Sequence, residues 1–189
     1  RSRTAMTGVF VADVQLRWTD LDAQGHVNNV MVADYLQLAR AEFMLSGDAG
    51  EMIEDGLVVV AHQISYRNPI HYSDDPLRAE LWVAEVGAAR LAIAYRLIQD
   101  DSLCVEARTV LCLYDFERMV PRRLTRRERG FFTAWLDENT APLPELVAPE
   151  LAGRGKITPV QVHWSDPDRY QHVNNVRYLD YVLAGRVDM

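Results

Sequence analysis

The chain has 189 residues, with 20 Lys and Arg against 27 Asp and Glu, for a formal net charge of −7. Apolar residues make up 49% and charged residues 25%, which is ordinary globular composition and excludes disorder over the whole length. The acidic balance disfavours nonspecific nucleic-acid binding, which depends on phosphate neutralisation. We expect no membrane span, because no apolar run approaches roughly 20 residues, and no secretory signal.

The amino-terminal segment predicts a strand, a loop and a long helix in that order. Apolar residues alternate with more polar neighbours over 10–18, which is typical of a strand. Residues 19–28 are polar and predict a loop. Asn28 or Asn29 suits the N-cap position of a helix, and Gly47 predicts its end. The apolar positions at helical spacing are Val32, Leu36, Ala39 and Phe43.

Four β segments and a short helix are predicted next, with residues 48–55 left unassigned. The β segments cover residues 57–66, 77–83, 91–97 and 105–113. An arginine-rich helix is predicted from Leu124 to about Glu138, where Phe131 and Phe132 can dock it. A proline-containing linker follows. This order predicts the α+β class, with a helix lying on a curved antiparallel sheet.

An internal repeat divides the chain. Residues 14–43 recur at 160–189 with a constant offset of 146 and no gap. The unchanged positions of the first copy are Val14, Gln15, Trp18, Asp20, Asp22, His26, Val27, Asn28, Asn29, Val30, Asp34, Tyr35 and Arg40. We therefore predict a complete module over 1–139, a linker over 140–156, and over 157–189 the first strand, loop and helix start of an incomplete second module. Because that helix is cut short, we expect a longer parent protein or a fragment.

The loop before the first helix is the candidate for chemistry. Asp20 and Asp22 lie two residues apart, so on an extended segment their carboxylates point the same way, and His26 follows. The free amides and positive dipole end of the helix suit an anion or a polarised carbonyl. A carboxylate there can attack a carbonyl or activate water, and the amides can stabilise the oxyanion.

Structural roles for the same residues stay open. Asp20 can cap a turn or pair with Arg17, and Asp22 can form an Asx turn. His26 can tie the loop to the helix. Asn28 and its neighbour suit caps and loop ties better than catalysis. A metal site is disfavoured, because no further His, Cys or carboxylate lies at ligand spacing.

The motif TrpThrAspLeuAspAlaGlnGlyHisValAsnAsn, followed by a helix with Tyr35 and AlaArg at 39–40, resembles the opening of hotdog-fold acyl thioesterases of the 4-hydroxybenzoyl-CoA thioesterase type. GlnHisValAsnAsnVal-x-Tyr of the second copy is similar to acyl-ACP thioesterases, which are tandem double hotdogs. The resemblance implies a long helix wrapped by a curved antiparallel sheet. It also implies thioester hydrolysis without a cofactor, and modules that pair with the site at their interface.

The resemblance assigns roles to positions in both copies. The implied catalytic carboxylates, assisting histidines and carbonyl-polarising amides are Asp22, His26 and Asn29, and in the repeat Asp168, His172 and Asn175. The implied substrate contacts in the same loops are Gly25, Asn28 and Asn174. Acyl-ACP thioesterases place an Asn two residues after the Asp, where this chain has Gln24 and Tyr170. Many relatives place a helix Glu where this chain has Gln37 and Leu183, so a mechanism that needs that carboxylate is disfavoured.

Residues outside the loops carry weaker signals. The arginine cluster is Arg118, Arg122, Arg123, Arg126, Arg127 and Arg129. This cluster indicates either a solvated helix face or a binding site. The site would take coenzyme A phosphates or an acidic carrier-protein surface, with Arg122 and Arg123 as candidate contacts. His62 and His71 are expected to be packing or edge residues. Cys104 and Cys112 lie too far apart on one strand for a disulfide, which favours a reducing, cytoplasmic location.

The sequence as a whole predicts an acyl-CoA thioesterase with an aspartate as general base or nucleophile. An acyl-ACP thioesterase and a non-catalytic acyl-binding or assembly hotdog are the alternatives. The spacing of a hotdog dehydratase is absent.

Overall fold

The computed structural model describes residues 8–47, 50, 56–137, 143–144, 147, 150, 153 and 155–187. Apart from residue 50, the unassigned patch at 48–55 lies outside these residues, as do most of the predicted linker and the end of the arginine-rich helix at Glu138. None of the helices in the described part combines the length and apolarity of a membrane span.

The first strand, β1, covers Phe10–Val14, and a 3-10 turn covers Trp18–Asp20. The strand is shorter than predicted, because Trp18 belongs to that turn and is exposed. The long helix α1 covers Asn29–Leu45 and starts at the predicted N-cap, Asn28, whose side chain accepts a hydrogen bond from the Val30 amide. It ends at Ser46, one residue before the expected Gly47.

The described strands form one antiparallel sheet. Its members after β1 are β2 (Leu57–Tyr66), β3 (Leu77–Val86), β4 (Arg90–Gln99), β5 (Ser102–Asp115) and the short β6 (Val120–Pro121). The order across the sheet is β1-β3-β4-β5-β2, with β6 on β5. Register irregularities in β2, β3 and β5 bend these strands, as β-bulges do. The predicted sheet is therefore confirmed.

The core lies between α1 and this sheet. The predicted apolar face of α1 is buried in full at Val32, Leu36, Ala39 and Phe43. Inward-facing residues of β1 and β3, paired in register from Phe10 opposite Leu81 to Val14 opposite Leu77, complete the layer. The continuous apolar contact fixes the amino end of α1 relative to β2, and the two candidate loops lie next to these elements.

The arginine-rich helix, α2, covers Arg126–Ala134 and is shorter than predicted. It starts at a capping box in which Thr125 accepts from the Glu128 amide and the Glu128 carboxylate accepts from the Thr125 amide. The Thr-x-x-Glu spacing is the sequence signal that places this start. Phe131 packs on Phe43 with ring centroids 5.2 Å apart, so the predicted docking of this helix is confirmed.

The second copy forms its loop and a helix, α3, over Arg177–Val187, but not the predicted first strand. Residues 156–163 have no regular secondary structure. β1 exists because β3 supplies a pairing edge, and no described strand lies beside 156–163. The corresponding apolar side chains remain outside any core, and Trp164 is 94% exposed.

Candidate functional site

The first-copy loop, residues 17–28, is held by a buried carboxylate. Asp20 Oδ2 accepts from the Arg17 Nε at 2.7 Å and from the Tyr35 hydroxyl at 2.7 Å. Burial, followed by the bond to Asp20, raises the pKa of Tyr35. The Asp20 carbonyl accepts from the Asn28 amide at 2.8 Å. Asp20 is thus a structural tie between the loop and α1, and its predicted pairing with Arg17 is confirmed.

Asp22 stands at the tip of the same loop and forms an Asx turn. Its Oδ1 accepts from the Gln24 amide at 2.8 Å and from the His26 amide at 3.2 Å, so one carboxylate oxygen is fixed. Gly25 has φ +78°, a left-handed conformation that glycine adopts without strain. The His26 ring lies edge-on to His71 with centroids 4.9 Å apart.

Asn28 caps the helix and accepts from its first backbone amides, except that of Asn29. The Val30 amide donates to Asn28 Oδ1, and the Met31 and Val32 amides donate to the Asn28 carbonyl. Among the described residues, none accepts from the Asn29 amide, which is the first of α1. That amide points out of the helix end, where the dipole favours a negative oxygen.

The second-copy loop, residues 163–174, repeats most of this geometry, with a backbone amide in the place of the arginine side chain. Asp166 Oδ2 accepts from the Tyr181 hydroxyl at 2.6 Å and the His163 amide at 2.7 Å. Both bonds lower the pKa of Asp166. The bond between Tyr181 and Asp166 also raises the pKa of Tyr181 to about 12. Asp168 Oδ1 accepts from the Tyr170 amide at 2.9 Å. The repeat in sequence is therefore a repeat in structure.

The helix start of the second copy repeats the cap of the first. Asn174 Oδ1 accepts from the Val176 amide at 3.0 Å, and its carbonyl accepts from the Arg177 amide at 2.9 Å. Asn175 is the residue equivalent to Asn29. No described residue accepts a hydrogen bond from its backbone amide. Each copy therefore offers one unbonded amide directly after an asparagine cap.

A cavity of about 840 Å³ lies between the second-copy loop and the first module. One side is the face of α1 that carries Gln37, Arg40 and Met44, together with β2 over 57–62. The other side is the second-copy loop with the residue that follows it. This side contributes Asp168, His172, Asn174 and Asn175, all singled out from the sequence. The structure thus brings the second copy's candidate residues to a cavity in the first module.

The first copy's candidates lie elsewhere. Asp22, Gly25, His26, Asn28 and Asn29 are not among the residues that line this cavity. Their loop sits beside the start of the segment that follows β2. Two bonds hold it there: the Val27 amide donates to the Ile70 carbonyl at 2.8 Å, and the Tyr66 hydroxyl donates to the Asn29 carbonyl at 2.9 Å.

A hydrogen-bond chain ties the second loop to the first module. The Thr109 hydroxyl lies 3.0 Å from His62 Nδ1, and His62 Nε2 lies 3.0 Å from Asn175 Oδ1. The Asn175 amide nitrogen Nδ2 donates to Gln37 Oε1 at 2.9 Å. Because Asn175 Oδ1 can only accept, His62 carries its proton on Nε2 and accepts from Thr109 on Nδ1.

His62 is neutral in this chain of bonds. Burial, reinforced by the nearby charge of Arg40, lowers the pKa of His62 to about 4. The sequence placed His62 as a packing or edge residue, because nothing within β2 indicates its partner in the second copy. The partner lies 113 residues away, so only the folded chain reveals this role.

Aromatic contacts fix the outer end of the second loop. The Tyr170 ring stacks on Phe116 with centroids 5.0 Å apart, and the His172 ring lies 5.4 Å from the same ring. Phe116 also crowds Gly56, which has φ +117° and where a Cβ would clash with the Tyr114 carbonyl oxygen. His172 is thereby held at the cavity, although its ring stays exposed.

The two arginine candidates do not reach the cavity. Arg122 forms a bidentate ion pair with Glu128, with nitrogen–oxygen distances of 2.7 and 3.0 Å. Burial alone would raise the pKa of Glu128, but the bonds from Arg122 and Thr125 outweigh it and lower that pKa. Arg123 is exposed and does not line the cavity. Within the described residues, no cluster of His, Cys, Asp and Glu is placed to hold a metal ion.

Solved thioesterases share the fold. The 12:0-ACP thioesterase from Umbellularia californica is 18% identical with a TM-score of 0.72, covering 95% of this chain and 75% of that chain. A thioesterase from Thermus thermophilus, solved with coenzyme A and Zn, is 25% identical with a TM-score of 0.60, covering 72% of this chain and 100% of that chain. A 1,4-dihydroxy-2-naphthoyl-CoA thioesterase from Synechocystis is 21% identical with a TM-score of 0.59, covering 67% and 96%. These matches confirm the predicted hotdog fold.

Sequence profiles give the family. The profile of the acyl-ACP thioesterase C-terminal domain matches residues 150–185. None of the curated proteins matches the chain. The profile of the thioesterase-like superfamily matches residues 16–151, which is more than half of the sequence. The chain therefore belongs to the thioesterase-like superfamily.

Proposed function

We propose that the chain hydrolyses an acyl-CoA thioester to a carboxylic acid and coenzyme A, and that the second-copy loop carries the reaction. The observation behind this proposal is the cavity, since Asp168, His172 and Asn175 line it while their first-copy equivalents do not. A pocket of about 840 Å³ lies within the size range of small-molecule sites. The acyl group enters between α1 and β2, with the thioester at the loop.

Asp168 supplies the base or the nucleophile. Its Oδ1 is held by the Tyr170 amide, and no described residue donates to Oδ2. As base, Oδ2 takes a proton from water, whose oxygen attacks the carbonyl carbon. The carbon–sulfur bond then breaks, and the proton returns to the departing thiolate. As nucleophile, Oδ2 attacks the carbonyl carbon and expels the thiolate, which takes a proton from solvent; water then cleaves the mixed anhydride, releasing the acid and restoring the carboxylate. The position of His172 on the cavity suits it to orient the water.

The backbone amide of Asn175 supplies the oxyanion contact. It has no acceptor in the described chain and stands at the amino end of the turn that leads into α3. A donor fixed in advance at the place where negative charge develops lowers the barrier of acyl transfer. The bonds of the Asn175 side chain to His62 and Gln37 hold this amide in place. The cavity lies between the two copies. This position agrees with the predicted division into a module over 1–139, a linker over 140–156 and a second module that starts at 157.

Thiol release from a panel of acyl-CoA substrates tests the proposal. We expect hydrolysis well above the buffer rate for at least one acyl group, without added metal. Equal rates with and without the protein for all acyl-CoA and acyl-ACP substrates would overturn it. Tight acyl-CoA binding combined with no turnover would instead favour the non-catalytic hotdog.

An acyl-ACP substrate is the second candidate. The acyl-ACP thioesterase C-terminal profile covers the segment that contributes Asp168, His172 and Asn175, which favours this carrier. Arg123, outside the cavity, is a candidate contact for an acidic carrier surface. Turnover of acyl-CoA and acyl-ACP of equal chain length decides between the two. A kcat/KM for acyl-ACP that is much higher and falls with added salt would select the carrier protein.

A further inference from the structure

Arg40 is a buried cation in the wall of the cavity. It lies on the same face of α1 as Gln37 and Met44, and only 6% of its surface is exposed. Its Nη1 donates to the hydroxyl of the buried Tyr95 at 3.1 Å. A guanidinium has five N–H donors and stays protonated, so this one bond leaves most of its capacity unused.

No carboxylate in the described chain pairs with Arg40. Asp168 is the acidic residue among those lining the cavity, and it forms no ion pair with Arg40. In the described part of the chain, Arg108 Nε is the sole buried side-chain nitrogen or oxygen sealed away without a partner. The remaining nitrogens of Arg40 are therefore accessible, and the cavity is the space that they face.

Arg40 is therefore a buried cation without a counter-charge among the described residues. A buried charge without a counter-charge is costly for a folded protein. An anion that enters the cavity supplies the missing partner, and a carboxylate matches the two-pronged geometry of the guanidinium.

We propose that Arg40 selects acyl groups that end in a carboxylate, so that the preferred substrates are thioesters of dicarboxylic acids. This inference rests on the proposed thioester hydrolysis. Asp168 at the loop repels the substrate carboxylate while Arg40 attracts it, which directs the charged end inward and the thioester to the loop. The apolar cavity residues Met44, Leu57 and Leu111 accommodate the intervening methylene groups.

Matched pairs of substrates test the proposal. The kcat/KM values of adipoyl-CoA and hexanoyl-CoA, and of suberoyl-CoA and octanoyl-CoA, are compared in wild type, Arg40→Gln and Arg90→Gln. Arg90 is exposed on β4 and does not line the cavity. We expect wild type and Arg90→Gln to favour the carboxylated member about tenfold or more. Arg40→Gln should lower kcat/KM for the carboxylated member far more than for the matched uncharged member, which abolishes the preference.

Binding of free ligands to the wild-type protein gives a second measurement that does not depend on a variant. By calorimetry, hexanoate should bind at least about tenfold more tightly than hexanamide, which has the same chain without the charge. Equal or reversed affinities would overturn the assignment, as would turnover that ignores the terminal charge. If no thioester is cleaved at all, the proposed function fails, whereas the binding of hexanoate against hexanamide still decides the role of Arg40.

Discussion

The two copies of the loop share most of their internal bonds and differ in their surroundings. Each has a buried aspartate held by a tyrosine, Asp20 with Tyr35 and Asp166 with Tyr181. The first loop packs beside the segment after β2, whereas the second faces a cavity in the first module. The internal geometry of the motif thus makes the loop, and the neighbouring element decides what the loop can act on. Four experiments can break or sharpen this comparison.

The largest effect is expected from the loop carboxylates. Asp168→Asn should lower kcat about 100- to 10,000-fold, because proton transfer by a positioned group contributes that much. Asp22→Asn should leave kcat in the same order of magnitude, since Asp22 does not line the cavity. Steady-state thiol release measures both, with unfolding curves as the control for folding. Equal losses in the two variants would contradict the assignment to the second copy.

The link through His62 should make stability depend on pH. Its pKa is about 4 in the folded chain and 6.5 ordinarily, so the unfolded chain binds the proton more tightly. The contribution to stability is full above pH 6.5 and falls as the pH drops towards 4, by about 3 kcal/mol in total. Urea unfolding at several pH values measures this slope. His62→Gln should flatten it, and an unchanged slope would show that other groups cause it.

The asparagines that follow the caps should differ in their effect on stability. Asn175→Ala removes side-chain bonds to His62 and Gln37 and should cost about 1–3 kcal/mol, because it leaves half-buried polar groups without partners. The Asn29 side chain is exposed, so Asn29→Ala should change stability by less than about 0.5 kcal/mol. Denaturant unfolding measures both. A larger cost for Asn29→Ala would reverse the comparison.

The smallest effect concerns the left-handed residue in each loop. Gly25 and its counterpart Gln171 have φ +78° and +60°, and only glycine adopts this conformation freely. Gln171→Gly should therefore stabilise the folded chain by about 1 kcal/mol, and Gly25→Gln should destabilise it by a similar amount. Thermal unfolding checks both signs. A destabilising Gln171→Gly would mean that the Gln171 side chain makes contacts that offset the strain.

Local sequence signals were sufficient for the elements of the first module and for the motif. Alternation and helical spacing predict β2 to β5 and α1, because those signals are local, and the Thr125 cap of α2 has a local signature as well. Val160, Val162 and Trp164 repeat the apolar alternation of the first copy, but 156–163 form no strand, since a strand also needs a neighbouring edge. The roles of His62 and Arg40 depend on contacts between distant segments, so no local pattern indicates them.

A crystal structure with a non-hydrolysable thioether analogue of an acyl-CoA, one that keeps a ketone carbonyl, tests the central claim most directly. The account predicts the acyl group in the cavity beside Met44 and Leu111. Its carbonyl oxygen should lie within hydrogen-bond distance of the Asn175 amide, with Asp168 next to the carbonyl carbon. An analogue seated instead at Asp22 and the Asn29 amide, with the cavity between α1 and β2 empty, would contradict it.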